Sequence, residues 1–545
     1  MVKSIFSLLG TRQTSILSGA AIIMVMVLMS KILGLARDRL LAHIFPPDTV
    51  AIFFAAFRLP DLIFQLLILG AMSVAFIPIF TEYLETKSKR DAFALGQSLM
   101  VLVLIFFMVV TILVYFFIEP LTFLIVPGFS PEQRETVASL TKIILVGQII
   151  LAVGSFFVGV LQSFQRFIIP ALAAVFYNLG IILGILFLAK PLGILGPAVG
   201  VIIGAFMHVL IQLPLVIALG FRFKLKNPVL HPGVKEIAGL MSMRTIGLAA
   251  EQVNETVGMI LASLISTASV TYLTFAQHLQ VVPIGLFGAT IAQAALPVLS
   301  SERARGKPDE FKATFLTTLH QILFLALPAT AILIVLKIPV VRLVFGASQF
   351  DWPSTVLTGM TLAYLSIGLA AQSISLLLVR GFYAMKDTRT PVLVSFIVVF
   401  INILLSYLFV RVLGLEVWSL GLSFSISSLI SSLLLFTTLD KKVGGFDRAL
   451  VFGPFFKMLM ATVIMGVALY VPIKLLDAVI FDTTRTINLL LLTGLSSIFA
   501  LSVYIILVWF LKVRELATYI DLLKRFGKFQ TKIQSSELLQ KPDSV

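Results

Sequence analysis

The sequence predicts an all-α polytopic membrane protein with about 14 transmembrane helices: two pseudo-symmetric six-helix bundles plus two C-terminal helices. Composition is the first observation behind this prediction. Of 545 residues, 59% are hydrophobic, only 12% are charged, and the mean hydropathy is +1.07. Soluble domains are about 45–50% apolar and about 25% charged. A soluble enzyme, a disordered chain and a fibrous protein are therefore excluded.

Long apolar stretches are the second observation, and they define the elements. A transmembrane helix needs about 20 mostly apolar residues. Fourteen stretches meet this length, near residues 15–35, 51–84, 94–118, 136–160, 168–189, 194–219, 236–264, 270–300, 312–336, 355–380, 391–411, 416–438, 450–475 and 486–512. The first has no small-residue cleavage site, so we expect a retained helix. The run GILGPAVG at 193–200 predicts close helix packing.

The distribution of basic residues predicts the orientation. An even number of spans places both termini on one side. Of the 41 Lys and Arg residues, 28 lie in one set of loops and at the two ends, and 9 lie in the alternate loops. This bias predicts that both termini are cytoplasmic. The net charge of +15 is thereby explained without a nucleic-acid partner, and the absence of cysteine excludes disulfides and Cys-ligated metals.

An internal repeat is the third observation. Phe57, Gly70, Ala71, Asp91 and Phe93 recur 218 residues later as Phe275, Gly288, Ala289, Asp309 and Phe311. Pro170, Gly193 and Gly200 recur 221 residues later as Pro391, Gly414 and Gly421. A six-helix unit repeats with the same orientation, which predicts two facing bundles and alternating access. The predicted divisions are bundles 1–230 and 231–445, added helices 446–514 and a cytoplasmic tail 515–545.

Eight charged residues lie in or at the edge of predicted spans. They are Lys31, Arg37, Asp38, Arg58, Asp61, Arg244, Glu251 and Glu255. Each would cost about 2.5–3.5 kcal/mol if it faced lipid at mid-bilayer. They are therefore expected to pair with one another or to face a wet cavity. The glycine within SKILGLARDR, Gly34, predicts a broken helix end beside these charges.

The seventh predicted span carries the most informative charges. At about 100° per residue, Arg244, Glu251 and Glu255 share one narrow stripe. The stripe forms either a cavity wall or a structural ion-pair seam between helices, and its two carboxylates could bind a cation or share a proton. In the second span, Arg58 and Asp61 lie on one face, and an intrahelical ion pair between them is the alternative to a binding role.

The remaining polar residues give weaker signals, namely His278, Gln280, Gln293 and Asn402. The sequence has no HExxH, GxxxxGK[ST] or GxSxG motif, so we expect no enzyme, no cofactor and no metal.

Several cations converging from three spans suit an anion, and Arg forks favour phosphate. An amphiphile whose diphosphate lies among the cations fits this pattern. Coupling to the membrane potential or to a monovalent cation is compatible with it.

Several motifs match a known family. They are SKILGLARDRLLAHIF, FFAAFRLPDLIFQLLILGAMSVAFIPIFTEY, QRFIIPALAAVFYN, GLFGATIAQAALPVLS and GFYAMKDTRTPV. The chain resembles the MurJ/MviN family, the lipid II flippases of bacterial cell-wall synthesis in the multidrug/oligosaccharidyl-lipid/polysaccharide exporter superfamily. The resemblance implies a central cationic cavity that takes the diphosphate and sugars of lipid II. The cations of the family's cavity correspond by position to Lys31, Arg37 and Arg58 in this chain, with Asp38 beside them.

The chain also departs from the family pattern. Phe64 and Gln65 stand where basic residues are common, and His278 and Val281 replace an Arg and a nearby Glu of some members. Conversely, Arg244, Glu251 and Glu255 of the seventh predicted span are outside that pattern, and we hypothesise that Arg244 restores a lost positive charge.

The interpretation that these observations favour is a flippase for an undecaprenyl-diphosphate-linked peptidoglycan precursor in the bacterial plasma membrane. Its expected partners are that lipid, membrane lipids and cell-wall synthesis or division proteins. Three alternatives remain open: a flippase for another polyprenyl-diphosphate-linked glycan, a cation-coupled multidrug exporter that uses Glu251 and Glu255, and a non-transporting scaffold.

Overall fold

The computed structural model describes residues 16–69, 76–222, 231–479 and 485–520, and nearly all of these residues are helical, with no β-strand. The predicted fold class is thus confirmed. The helices are α1 (Ile16–Ile44), α2 (Pro47–Phe64), α3 (Ile77–Thr86), α4 (Lys89–Phe116), α5 (Ile118–Ile125), α6 (Pro131–Ser163), α7 (Ile168–Leu183), α8 (Ala189–Leu192), α9 (Leu195–Ala218), α10 (Pro232–Ile265), α11 (Thr267–Pro283), α12 (Thr290–Ala304), α13 (Pro308–Val335), α14 (Lys337–Phe345), α15 (Trp352–Ile367), α16 (Leu369–Ala384), α17 (Arg389–Tyr407), α18 (Trp418–Lys442), α19 (Arg448–Val479) and α20 (Thr486–Phe510).

The number of spans differs from the prediction. Within the described ranges, eleven helical segments are long and apolar enough to cross a membrane, or twelve if α15 and α16, bent by 43°, form one span. The predicted count of fourteen is not confirmed. Helices α1 and α10, of 29 and 34 residues, are not among these segments. They carry many of the charged residues singled out above.

Local sequence explains where several helices begin. Ser130 accepts a hydrogen bond from the main-chain N–H of Gln133, whose side chain in turn accepts from the Ser130 N–H, and Pro131 takes the first helical position of α6. Such a capping box satisfies two N–H groups that have no partner inside the helix. Ser88 caps α4 with a single main-chain bond, by accepting from the N–H of Asp91.

The predicted break at Gly34 is wrong, because α1 runs without interruption from Ile16 to Ile44. A single glycine costs a helix only about 1 kcal/mol relative to alanine, which packing against a neighbouring helix readily offsets. A Cβ at Gly34 would lie 3.9 Å from Oδ1 of Asn178 on α7. The glycine therefore lies where a polar side chain of another helix approaches α1.

Irregular features recur along the chain at nearly the predicted offset. Single π-helical turns occupy Gln65–Leu69 and Gly184–Leu188, and again Ile284–Ala289 and Leu408–Val412. The first residues of these turns are thus 219 and 224 positions apart. Positive φ angles recur 221 positions apart, at Gln165 and Lys386 and at Gly193 and Gly414. These pairs are what a duplicated six-helix unit produces.

The chain forms two compact units. Unit 1 comprises Met1–Leu279, Val344–Thr361 and Ser395–Phe424, and unit 2 comprises Gln280–Leu343, Leu362–Val394 and Ser425–Val545. The predicted domain boundaries stay a prediction.

Glycines allow two helices of unit 1 to cross closely. A Cβ at Gly180 on α7 would lie 2.2 Å from Cα of Gly204 on α9, and one at Gly184 would lie 2.4 Å from Cα of Gly200. Only backbone fills the space between these residues, so no larger residue fits. The close packing predicted for residues 193–200 is confirmed at Gly196 and Gly200.

In unit 2, the chain after α20 packs back onto α13. Glu515 lies 3.5 Å from His320, and both side chains are less than a tenth exposed. The hydroxyl of Tyr519 donates to the carbonyl of Gln321 at 3.2 Å, and its ring stacks on Phe324. The start of the predicted tail is therefore anchored, while residues 521–545 lie outside the described ranges.

Candidate functional site

Arg58 on α2 donates four hydrogen bonds to α10. Its Nη1 donates to Oε2 of Glu255 at 2.7 Å, and its Nε donates to Oγ1 of Thr256 at 2.9 Å. Its Nη2 donates to the carbonyl oxygen of Gln252 at 2.6 Å and to the side-chain Oε1 of the same residue at 2.9 Å. Arg58 is 7% exposed and Glu255 is 48% exposed. A buried guanidinium thus joins the two helices, and its acid partner remains accessible.

The alternative of an intrahelical Arg58–Asp61 ion pair is not what the structure has. Oδ1 of Asp61 accepts a hydrogen bond from Nε2 of Gln148 on α6 at 2.9 Å. Arg58, Glu255 and Arg37 all act on Asp61 electrostatically. Asp61 therefore belongs to the same charged neighbourhood as both arginines without replacing Glu255 as the ion-pair partner of Arg58.

Arg37, Asp38 and His278 form a second polar group in unit 1. Nε and Nη2 of Arg37 donate to Oδ1 of Asp38 at 3.0 and 2.8 Å, and Nη1 contacts Oδ1 of Asn178 at 3.4 Å. Nδ1 of His278 lies 2.7 Å from the other carboxylate oxygen of Asp38. Asp38 is 1% exposed, whereas His278 is 36% exposed. The buried carboxylate therefore lies between a guanidinium and an accessible imidazole.

Asn178 holds the first helix in place beside this group. Its Nδ2 donates to Oγ of Ser30 on α1 at 3.2 Å, while its Oδ1 faces Arg37. The His278 ring packs edge-on against Phe54 of α2, with 5.9 Å between the ring centroids. Residues from α1, α2, α7 and α11 thus position the imidazole and the guanidinium on opposite sides of Asp38.

The other predicted site residues are placed less closely. Lys31 on α1 is partly exposed, and no ion pair joins it to another residue that the structure describes. Glu251 and Glu255 are both exposed on α10, while Gln252, which follows Glu251, is 4% exposed. The side chain of Arg244 lies outside the described residues, so its predicted role stays a prediction.

Apart from His278, the weaker polar signals lie outside the two polar groups described above. Nε2 of Gln280 donates to the carbonyl of Leu365 at 2.6 Å in unit 2. Nδ2 of Asn402 donates to Oδ1 of Asn254 at 2.6 Å in unit 1. Gln293 is exposed on α12. In the described ranges, no group of three or more His, Asp or Glu residues is arranged to hold a metal ion.

Sequence reasoning missed three residues of the site. Asn178, Gln148 and Thr256 are neutral, and each contacts a charged residue more than 80 positions away. A signal existed for Asn178, since it ends the motif QRFIIPALAAVFYN. Gln148 is a glutamine within a long apolar span, which is the pattern that drew attention to Gln280.

Comparison with known proteins places this arrangement in a family. A family model described as lipid II flippase MurJ matches residues 41–508. The chain belongs to the lipid II flippase MurJ family. A MurJ relative from Burkholderia cenocepacia, named lipid II flippase MurJ, is 27% identical over 429 residues, which cover 76% of this chain and 82% of the relative.

Solved structures agree with this family assignment. The chain is similar to lipid II flippase MurJ in an inward closed conformation, with a TM-score of 0.75 and 25% identity over 92% of this chain and 99% of the other. It also shares the fold of an inward-facing MATE multidrug resistance transporter of the MOP superfamily, with a TM-score of 0.64 and 14% identity over 78% and 98% of the two chains. The resemblance to MurJ is confirmed, and the family is one of multi-pass bacterial inner-membrane transporters and not a family of enzymes.

Proposed function

We propose that this protein moves lipid II from the inner to the outer leaflet of the bacterial inner membrane by alternating access. The observation that carries the proposal is the setting of Arg37 and Arg58. In a chain of the MurJ family, two arginines from the first two helices are held by acids within the charged neighbourhood of unit 1. Guanidinium forks suit the oxygens of a diphosphate.

Arginine-acid pairs fit a site that must both bind and release an anion. We assign the diphosphate to Arg37 and Arg58, with Lys31 and Arg244 as further cations. Asp38, Glu251 and Glu255 compete for these cations when the substrate is absent. Because Glu255 is about half exposed, its pairing with Arg58 is weak enough for a dianion to displace it.

The direction of transport fits the membrane potential. Moving two negative charges outward across an inside-negative membrane is downhill by about 4.6 kcal/mol per 100 mV, at about 2.3 per charge. This driving force belongs to the substrate alone, and each cation that moves with the substrate reduces it by about 2.3 kcal/mol per 100 mV. Cell-wall synthesis or division proteins that consume lipid II outside are the protein partners we propose.

A depletion experiment tests the proposal. A bacterial host is depleted of its own lipid II flippase and supplied with this gene. Outer-leaflet lipid II is then measured with an externally added enzyme that cleaves its headgroup. The wild-type protein is expected to restore growth and cleavage, whereas Arg37→Ala and Arg58→Ala are expected to restore neither at equal membrane abundance. Arg303→Ala, an exposed arginine at the end of α12, is the matched control.

Two outcomes bear on the proposal in opposite ways. Full rescue by both Arg37→Ala and Arg58→Ala would overturn the assignment of the site. Because removal of Arg58 leaves Gln252 and Thr256 without their donor, Arg58→Lys serves as a second variant that keeps the charge. Partial rescue by lysine and none by alanine supports charge recognition of the headgroup.

A further inference from the structure

The charges around the two arginines do not by themselves favour an anion. Arg37 and Arg58 carry two positive charges. The carboxylates that pair with them or act on them electrostatically are those of Asp38, Asp61 and Glu255, which carry three negative charges. With a neutral His278, this set has a net charge of −1. A diphosphate that enters it adds two more negative charges. Lys31 and Arg244, assigned above as further cations, lie outside this set, and any positive charge gained within it strengthens binding of the anion.

His278 is placed to supply that charge. Its Nδ1 lies 2.7 Å from Asp38, and the side chain is 36% exposed, so a proton can reach the ring. Histidine is the side chain that ordinarily changes charge near physiological pH. Protonation turns a neutral hydrogen bond to the buried carboxylate into an ion pair, which strengthens the hold of His278 on Asp38.

The same carboxylate also holds Arg37. Nε and Nη2 of Arg37 both donate to Oδ1 of Asp38, and His278 contacts Oδ2. When the imidazole becomes cationic, Asp38 is shared between two cations and attracts Arg37 less. The guanidinium is then free to turn part of its fork toward a phosphate, while the set as a whole gains one positive charge.

We propose that Asp38 and His278 form a proton-binding site whose occupancy is linked to headgroup binding, so that the protein takes up a proton when the anionic lipid binds. This inference rests on the proposed function and adds a linked proton to its binding step. The other titratable groups that act on this site are Asp61 on α2, which acts on Arg37, and Tyr177 on α7, which acts on Arg37 as well. Neither contacts the imidazole.

Calorimetry tests the linkage directly. A lipid II analogue with a short prenyl chain is titrated at pH 7 into the purified full-length protein in neutral detergent, in two buffers of different ionisation enthalpy. The difference between the two apparent enthalpies gives the number of protons exchanged. We expect uptake of up to one proton by the wild type and none by His278→Gln. By linkage, the wild-type affinity rises as the pH falls, by at most about tenfold per pH unit for one proton.

Two further variants keep the result interpretable. His43→Gln removes an exposed histidine of α1 that does not contact Asp38, and it should leave the proton uptake unchanged. His278→Arg fixes the positive charge, so it should bind the analogue without proton exchange and without a pH-dependent affinity, even if His278→Gln folds poorly.

The failure of this inference differs from the failure of the proposed function. Proton uptake by His278→Gln or His278→Arg equal to that of the wild type overturns the proton site while leaving lipid II binding intact. The absence of any binding isotherm for the folded wild-type protein overturns the proposed function, and the proton site with it.

Discussion

Replacement of Glu255 by glutamine decides between a binding role and a structural role for the charges on α10. Glutamine has the same shape and still offers an oxygen to Nη1 of Arg58. Only the negative charge is lost, because the bonds from Arg58 to Gln252 and Thr256 do not involve Glu255. The variant therefore removes one competitor for the guanidinium and leaves its position intact.

The expected magnitude follows from the exposure of the pair. Glu255 is 48% exposed and Arg58 is 7% exposed; because solvent screens the carboxylate, we assign the pair about 1 kcal/mol, the upper end of the range for exposed pairs. If Glu255 competes with the diphosphate for Arg58, loss of its charge makes the free energy of diphosphate binding more favourable by up to that amount. The dissociation constant for a lipid II analogue should then fall by up to about fivefold, since about 1.4 kcal/mol corresponds to tenfold. The free energy of unfolding should fall by no more than about 1 kcal/mol.

The assay is equilibrium binding of the analogue to purified protein, with thermal unfolding measured on the same samples. Glu310→Gln, which breaks the exposed ion pair between Glu310 on α13 and Lys307 just before it, is the matched control and should change neither affinity nor transport. An affinity that stays the same or weakens in Glu255→Gln, together with lower stability, would refute competition and leave a structural ion-pair seam as the role of the stripe.

Three other changes test the fold. Gly180→Ala should lower the free energy of unfolding by about 1–3 kcal/mol or more, because its Cβ would lie 2.2 Å from Cα of Gly204; thermal unfolding in detergent measures the loss. Burial opposes ionisation of Asp387, but hydrogen bonds from Lys442 and Thr390 outweigh it and lower its pKa to about 2. Its contribution to stability should therefore be present above about pH 4, the ordinary range of aspartate, and be lost as the pH falls towards 2. Tyr519→Phe should lower the free energy of unfolding by about 0.5–1.5 kcal/mol through loss of one hydrogen bond.

Each of these changes has a control. Gly494→Ala places a Cβ with no neighbour within 4 Å, so stability should not fall as it does at Gly180. For Asp387→Asn, the difference from the wild type should vanish towards pH 2, and a constant difference down to that pH would contradict the assigned pKa. Tyr407→Phe alters an exposed tyrosine on α17, and a loss equal to that of Tyr519→Phe would show that the tail bond contributes nothing.

Much of the fold follows from one-dimensional patterns, whereas the pairing of the site does not. Apolar length and helix starts are local properties, so helices α4, α6 and α13 lie where the hydropathy predicts them. Glu255, the ion-pair partner of Arg58, is 197 residues away in the chain. Sequence spacing indicates only neighbours on the same helix, such as Asp61. The rule that a charge in a membrane must be paired anticipates that a partner exists without identifying it.

Neutral partners are the least predictable part of the site. Asn178, Gln148 and Thr256 contact the charged residues through single polar atoms, and such residues occur throughout the chain. At Gly34 the sequence predicts a feature that the structure does not have. A glycine beside charged residues looks the same in sequence whether it breaks its helix or makes room for a side chain of another helix. Only the position of Asn178 against α1 distinguishes the two.

The paired π-helical turns also carry a historical consequence. A π turn accommodates one residue more than a regular turn, and such turns are rare. Two independent acquisitions at matching places in both halves, at Gln65–Leu69 with Ile284–Ala289 and at Gly184–Leu188 with Leu408–Val412, would be an improbable coincidence. If the chain arose by the predicted duplication, one ancestral six-helix polypeptide that already carried both turns accounts for all four of them without separate insertions.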